Sequence, residues 1–229
     1  FCLSRGLGDV YKRQNQSLVN PAPYKLKTKK NFKFLHISSG IPRKGLDLLI
    51  KAYIEEFNNR EDVCLLIKSY HNEENQIPSL IAEYQEPGNA EIEVIYDLDL
   101  TDAQIADLYE QSDAVVIPSR AEGFGLPIAE AMLKKKPLIT TGYGGQMDFV
   151  SEDNAFLLDF DIVKADSQLN IPGSTWAEPS IEDLRTKLRF LYENAQSVEV
   201  TEKLEKAYSN ASRLTWENTV NRVVDFLEY

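Results

Sequence analysis

From Phe32 onward the chain alternates short apolar runs with amphipathic stretches, and this alternation constrains the fold more than any other feature. Runs rich in Val, Ile and Leu stand at 32–38, 63–68, 92–96, 114–118 and 137–141. Helical stretches lie between them at 45–57, 74–86, 102–111 and 126–135. In the first of these, Leu46, Leu49, Ile50, Tyr53, Ile54 and Phe57 recur at helical spacing. Strands alternating with helices through connections this short specify a parallel sheet with helices on both faces. Near-continuous apolar strands agree, since such strands are buried on both sides. The expected fold is α/β, a Rossmann-like parallel sheet ending in C-terminal helices.

The last third changes character. Residues 155–158 read as a final short strand and 161–174 as a loop. Ser180 and Asp183 offer a capping box to a helix reaching about 194. A further helix is expected at 199–212. In the last one, Trp216, Val220, Val223, Val224 and Leu227 form one apolar stripe, expected to join the core. There is no internal repeat.

The other end looks different again. The chain opens on Phe1, and residues 1–14 show neither a signal-peptide core nor a useful amphipathic period. They resemble the translated scars at the ends of assembled fragments, which suggests a fragment or processed product. Residues 15–31 are polar, Pro-containing and basic, and read as a solvated linker. The expected division is therefore a non-native-looking leader and basic linker over 1–31 and a folded domain over 32–229.

Charge sharpens where a ligand could sit. With 36 acidic and 25 basic side chains the net charge is −11, which disfavours nucleic acid and anionic membranes as partners. Yet residues 24–51 hold eight basic side chains and one acid, Asp47, so this window carries +7 and the rest −18. A small anion has a local positive site here. Two cysteines, Cys2 and Cys64, are too few for a disulfide framework or zinc cluster, which suits a reducing compartment. No apolar run approaches the roughly 18 residues a membrane-spanning helix needs.

Ligands of open parallel sheets bind at the carboxyl ends of the strands. That rule selects the loops at 39–44, 69–72, 96–99, 119–125 and 142–146. The first holds Gly40, then Arg43 and Lys44 just ahead of a helix N-terminus, where N–H groups and the helix dipole favour an anion such as a nucleotide diphosphate. The fourth holds Arg120, Glu122, Gly123, Phe124 and Gly125, followed by Leu126, Pro127 and Glu130. Gly123 and Gly125 allow positive φ and close approach of a ligand, while Pro127 suits a first helical turn. Glu130 is expected within that first turn. Carboxylates are good acceptors for sugar hydroxyls, although a solvated loop acid and a dipole-compensating helix acid explain the pair equally well.

The motif Glu122-Gly-Phe-Gly-Leu-Pro-Ile-Ala-Glu130 resembles the Glu-x7-Glu signature of family-4 retaining glycosyltransferases with the GT-B fold. Further matches follow in the family's order: Pro42-Arg-Lys-Gly45, Ser112-Asp-Ala-Val-Val-Ile-Pro-Ser119, Glu130-Ala-Met132 and Thr141-Gly-Tyr-Gly-Gly145. The likeness spans residues 32–229 and resembles the C-terminal, donor-binding half of such an enzyme; the N-terminal acceptor domain is expected to be absent.

The resemblance implies a hexosyltransferase, inactive as an isolated fragment, whose donor is a nucleotide diphosphate sugar. Lys44, with Arg43, would stabilise the diphosphate leaving group. Glu122 would hold donor-sugar hydroxyls with the N–H groups of Gly123, Phe124 and Gly125, and Glu130 the ribose hydroxyls. Gly40, Arg120 and Leu126 complete the implied donor site. The implied catalytic residues are Glu122 and Lys44, with no metal and no other cofactor. A saccharide or lipid-linked acceptor would arrive through the N-terminal domain, and polysaccharide biosynthesis is the implied setting. The implied location is cytoplasmic, with the longer protein peripheral at the inner membrane face. In place of the family's usual Arg five or six residues before the Lys stand Ser38 and Ser39, and Asp148 replaces a common Glu. Alternatives are a non-catalytic nucleotide-sugar-binding subunit and another GT-B enzyme such as a nucleotide-sugar epimerase.

Three features are read as structural. Asp97-Leu-Asp99 imitates a metal motif but precedes a capping box at Thr101 and Gln104. His36 and His71 are too few for a metal site, and His36 is expected as a hydrogen-bonded strand residue. Trp176 is expected as a core anchor.

Overall fold

The computed structural model describes residues 20–84, 86–96, 100–166 and 171–227. The leader over 1–14, the Asp97-Leu-Asp99 triplet and positions 167–170 of the expected loop lie outside the described residues. Among the described residues six strands form one wholly parallel sheet. They are β1 (Phe32–Ile37), β2 (Val63–Lys68), β3 (Glu91–Ile95), β4 (Ala114–Ile117), β5 (Leu138–Thr141) and β6 (Phe156–Leu158), in the order β3-β2-β1-β4-β5-β6. The helices are α1 (Leu46–Glu56), α2 (Ile77–Tyr84), α3 (Asp102–Glu110), α4 (Leu126–Leu133), α5 (Ile181–Asn194), α6 (Val198–Ala211) and α7 (Trp216–Leu227). This is the parallel α/β architecture expected from the alternation.

Strand pleat explains the two layers. Phe34, Leu65, Ala114 and Val116 face one core with α1, α2 and α5, whereas Leu35, Leu66, Val115 and Ile117 face a second with α3 and α4. Successive side chains point to opposite faces, so continuous apolar runs were needed to fill both.

Local chemistry sets the helix starts. Thr101 accepts from the Gln104 N–H while the Gln104 side chain accepts from the Thr101 N–H, the full capping box expected there. At α5 only half of the expected box forms. Ser180 accepts from Asp183 N–H, but Asp183 turns its carboxylate to the Asp159 N–H and the Lys187 ammonium. The stretch at 74–86 yields a shorter helix, because Asn75 caps Ile77 N–H at 2.9 Å and Gln76 N–H is held by the Gly40 carbonyl.

Three expectations change. The stretch at 161–174 is not wholly loop: β7 (Phe160–Lys164) pairs antiparallel with β8 (Thr175–Pro179). The residues that bury this hairpin, Trp176 and Ala177, lie beyond the stretch, and Ile162 projects outward, so no alternating apolar pattern marked β7. Secondly, the apolar stripe of α7 is not core. Val220, Val223, Val224 and Leu227 are 52%, 53%, 44% and 74% exposed, and only Trp216 at the head of the stripe is partly buried among its described side chains. Thirdly, Lys25 to Lys30 is docked. Lys25, Lys27 and Lys29 are solvated as expected, but Leu26 and Thr28 alternate inward and are buried. Glu93 on edge strand β3 accepts from the Lys27 and Thr28 N–H groups, and Asp107 on α3 from that of Tyr24. No helix among the described residues is long and apolar enough to cross a membrane.

Candidate functional site

The strand order places a reversal between β1 and β4: the chain runs outward through β2 and β3, then returns to β4 and runs out through β5. In such sheets the crevice at the carboxyl edge of that switch point receives the ligand. The loops following β1 and β4 flank it, and they hold most of the residues singled out by sequence.

After β1 the chain makes a single 3-10 turn, Pro42–Lys44, closed by Lys44 N–H to the Ile41 carbonyl and Gly45 N–H to the Pro42 carbonyl. Gly45 sits at φ +67°, and a Cβ there would lie 2.0 Å from the Pro118 carbonyl oxygen. Only glycine lets the first loop lean this closely on the fourth. The consequence is a cross-loop cluster: Lys44 Nζ stands 2.6 Å from Glu122 Oε1, which also accepts from the Ser119 hydroxyl at 2.7 Å. Arg43 Nη1 lies 3.7 Å from the other oxygen, Oε2, and donates to the Ala121 carbonyl. Lys44 is partly screened and Arg43 half exposed, so both cations face the crevice over a nearly buried carboxylate.

The fifth loop closes on the fourth. Gly145 N–H donates to the Glu122 carbonyl at 2.9 Å, and a Cβ on Gly145 would fall 1.9 Å from the Gly123 carbonyl. Of the two expected positive-φ glycines only Gly125 has one, +81°, as the N-cap of α4. Gly123 differs: a Cβ there would meet nothing within 4 Å, so its contribution is open space. Among the described residues no backbone carbonyl takes the N–H of Gly123, Phe124 or Gly125. These donors, with the α4 N-terminus at Leu126, suit an anion or sugar oxygen.

Glu130 is the fifth residue of α4, hence in its second turn and not the first. It is buried, and its Oε2 accepts from the Tyr109 hydroxyl at 2.8 Å. Gly40 adopts φ +72° beside Asn75. His36 is a strand histidine as expected: Nδ1 donates to the Val116 carbonyl and Nε2 accepts from the Ser38 hydroxyl, both at 2.8 Å. The Gly40 N–H donates to Ser38 Oγ, extending that chain of bonds into the first loop. Burial dominates in holding His36 at a pKa of about 4, aided by the charge of Lys44 and opposed by the Val116 bond and Glu122.

Arg120, which the resemblance puts in the donor site, is held by protein groups instead. It is buried and bridges Asp47 in the first turn of α1 and Glu178 on β8. Its guanidinium also lies 5.1 Å over the Trp176 ring, which is buried as expected. Burial opposes its charge, but the hydrogen bonds to Glu178 and Asp47 outweigh burial and raise its pKa above the ordinary arginine value. Three cations (Arg43, Lys44, Arg120) thus face three carboxylates (Glu122, Asp47, Glu178) in this corner, and the +7 window does not produce a bare positive patch. Sequence reasoning missed Ser119, Glu178 and Tyr109. Asp47, the lone acid of the basic window, was the one visible signal of this balance.

Comparison with known proteins follows from this geometry. Residues 22–213 match the family described as glycosyl transferases group 1. The Escherichia coli serotype-specific mannosyltransferase WbdA is 29% identical over 106 residues, covering 46% of this chain and 13% of that protein. The Anabaena protein Alr3699/HepE, solved in complex with UDP and glucose, superposes with a TM-score of 0.62 at 22% identity, covering 97% of this chain and 53% of that one. The C-terminal domain of the Francisella tularensis group 1 glycosyl transferase LpcC superposes with a TM-score of 0.58 at 19% identity, covering 87% of this chain and 96% of that one. The chain spans less than half the length of the curated relatives it matches.

Proposed function

The chain belongs to the glycosyl transferases group 1 family, and from that premise we propose that it is the donor-binding portion of a retaining, family-4-type enzyme. The reaction would transfer a hexose from a nucleotide diphosphate sugar to a saccharide or lipid-linked acceptor, in polysaccharide biosynthesis. The observation that carries this reading is the Lys44–Glu122 pair at the switch point, one cation and one carboxylate brought to 2.6 Å. Lys44 and Arg43 neutralise the diphosphate as it leaves, a contribution strongest where charge develops in the transition state. Glu122, braced by Ser119, accepts from the donor-sugar hydroxyls, and the N–H groups of Gly123, Phe124 and Gly125 complete that cradle. Glu130 takes the ribose hydroxyls. Because side chains and the α4 N-terminus carry the positive charge, this reading requires no metal. The mannosyltransferase relative and the Anabaena structure with UDP and glucose are consistent with a hexose donor.

Acceptor binding and closure over the donor are assigned to a further domain of the longer protein, working in the cytoplasm at the inner membrane face. The 229-residue chain is then expected to bind donor weakly and to transfer nothing alone. Calorimetric titration with UDP-, GDP- and ADP-sugars tests this: one base should bind, and folded protein that binds none of them would sink the proposal. Lys44→Ala and Glu122→Ala should each weaken binding roughly tenfold or more, the scale of a lost charge-assisted contact. Unchanged affinity in both would refute the assigned roles.

A further inference from the structure

We propose that Arg120 is a positioning residue: it holds the Pro42–Lys44 turn so that Lys44 and Arg43 stand over Glu122 ready for a nucleoside diphosphate. The proposal rests on the donor-site reading above and deepens it.

The donor inventory comes first. A guanidinium has five N–H donors in a rigid fork. In Arg120 all five meet protein oxygens: Nε and Nη2 donate to Glu178 at 2.5 and 2.8 Å, Nη2 and Nη1 to Asp47 at 2.7 and 2.8 Å, and Nη1 to the Pro42 carbonyl at 2.5 Å. No donor is left to bind phosphate. What the donors hold is informative. Pro42 and Asp47 bracket Lys44 on either side, and the Arg120 backbone N–H adds a third point by donating to the Arg43 carbonyl at 2.8 Å. Four positions around the turn and the start of α1, at 42, 43, 45 and 47, thus lean on residues 118 and 120 after β4.

The turn needs such support. A single 3-10 turn has poor hydrogen-bond geometry and little intrinsic stability, and Lys44 sits at its end with only two backbone bonds closing it. Arg120 is itself fixed from the far side. Ala177 N–H donates to its carbonyl at 3.1 Å, Glu178 neutralises it, and the Trp176 ring lies beneath it. The β7–β8 hairpin therefore reaches the Pro42–Lys44 turn through one residue, by its backbone and its side chain together.

Two measurements on the full chain decide the matter. Arg120→Lys keeps the charge, but an ammonium cannot span two carboxylates in a planar fork. Amide exchange at Lys44 and Gly45, followed by NMR, should rise at least tenfold while the amides of β2 stay unchanged. Glu178→Gln leaves the Asp47 pair in place and should give a smaller rise of the same sign, which serves if Arg120→Lys does not fold. Exchange equal to wild type in both variants overturns the proposal. In calorimetric titration with UDP, GDP and ADP, Arg120→Lys should weaken the bound nucleotide about tenfold in the wild-type background but less than twofold beside Lys44→Ala, since residues acting through one contact are not additive. Full additivity would mean that Arg120 acts independently of Lys44, and the proposal falls. Binding of none of the three nucleotides overturns the donor-site reading instead, and amide exchange still decides whether Arg120 sets the turn.

Discussion

Lys44 and Glu122 are 78 residues apart in the chain and 2.6 Å apart in space. Their residue types were readable as cation and hydroxyl acceptor; their pairing required the two loops to converge. His36 shows the same division. A hydrogen-bonded strand residue was expected, and its bond to Ser38 is local, whereas its bond to the Val116 carbonyl depends on β4 lying alongside. Its burial has a pH consequence. The folded-state pKa is about 4 against an ordinary 6.5, so between those values the unfolded chain binds more protons and stability rises with pH. The contribution is complete above about pH 6.5 and is lost as pH falls toward 4, amounting to at most about 3 kcal/mol. Thermal melts from pH 7 to 4 should therefore fall less steeply for His36→Gln than for wild type. Parallel curves would show that another group carries the transition.

Elements were legible where their pattern was local. The Thr101–Gln104 capping box needs only residues three apart, and it forms in full. The box at Ser180 forms by half, because Asp159 and Lys187 compete for the Asp183 carboxylate, and neither competitor enters the local motif. Hairpin β7–β8 escaped notice because antiparallel pairing across ten intervening residues leaves no short-range trace when the outer strand is largely solvated. The strap at 24–30 was misread because its lysines dominate the composition while Leu26 and Thr28 bury between them. Gly45 gives the element-scale test. Gly45→Ala places a Cβ against the Pro118 carbonyl at φ +67°, and should lower unfolding free energy by upward of about 2 kcal/mol in urea titration. A smaller loss would mean that the first and fourth loops can separate without strain.

At the scale of the molecule, the −11 charge first argued against anionic partners, and the structure refines that. The corner around Lys44 is not a positive hole but three cations matched by three carboxylates, so an anion arriving there would have to compete with Glu122 for Lys44. The apolar face of α7 raises a separate whole-molecule question, since Val223 and Val224 are 53% and 44% exposed. Exposed side chains contribute little to folding; Val223→Ser and Val224→Ser should each change unfolding free energy by less than about 0.5 kcal/mol. Losses above about 1.5 kcal/mol, the scale for burying a valine, would place that face in the core after all.

By itself the sequence determined the α/β class, nearly every strand and helix of the sheet, and the loops that hold the candidate site. Those follow from periodicity and turn chemistry, which act within a few residues. Tertiary structure decided which carboxylate meets which cation. It paired Arg120 with Asp47 and Glu178, bonded Glu130 to Tyr109, and left most of the α7 stripe exposed. The physical reason is that charge pairing and burial depend on distances between loops far apart in the chain, and only the parallel sheet sets those distances.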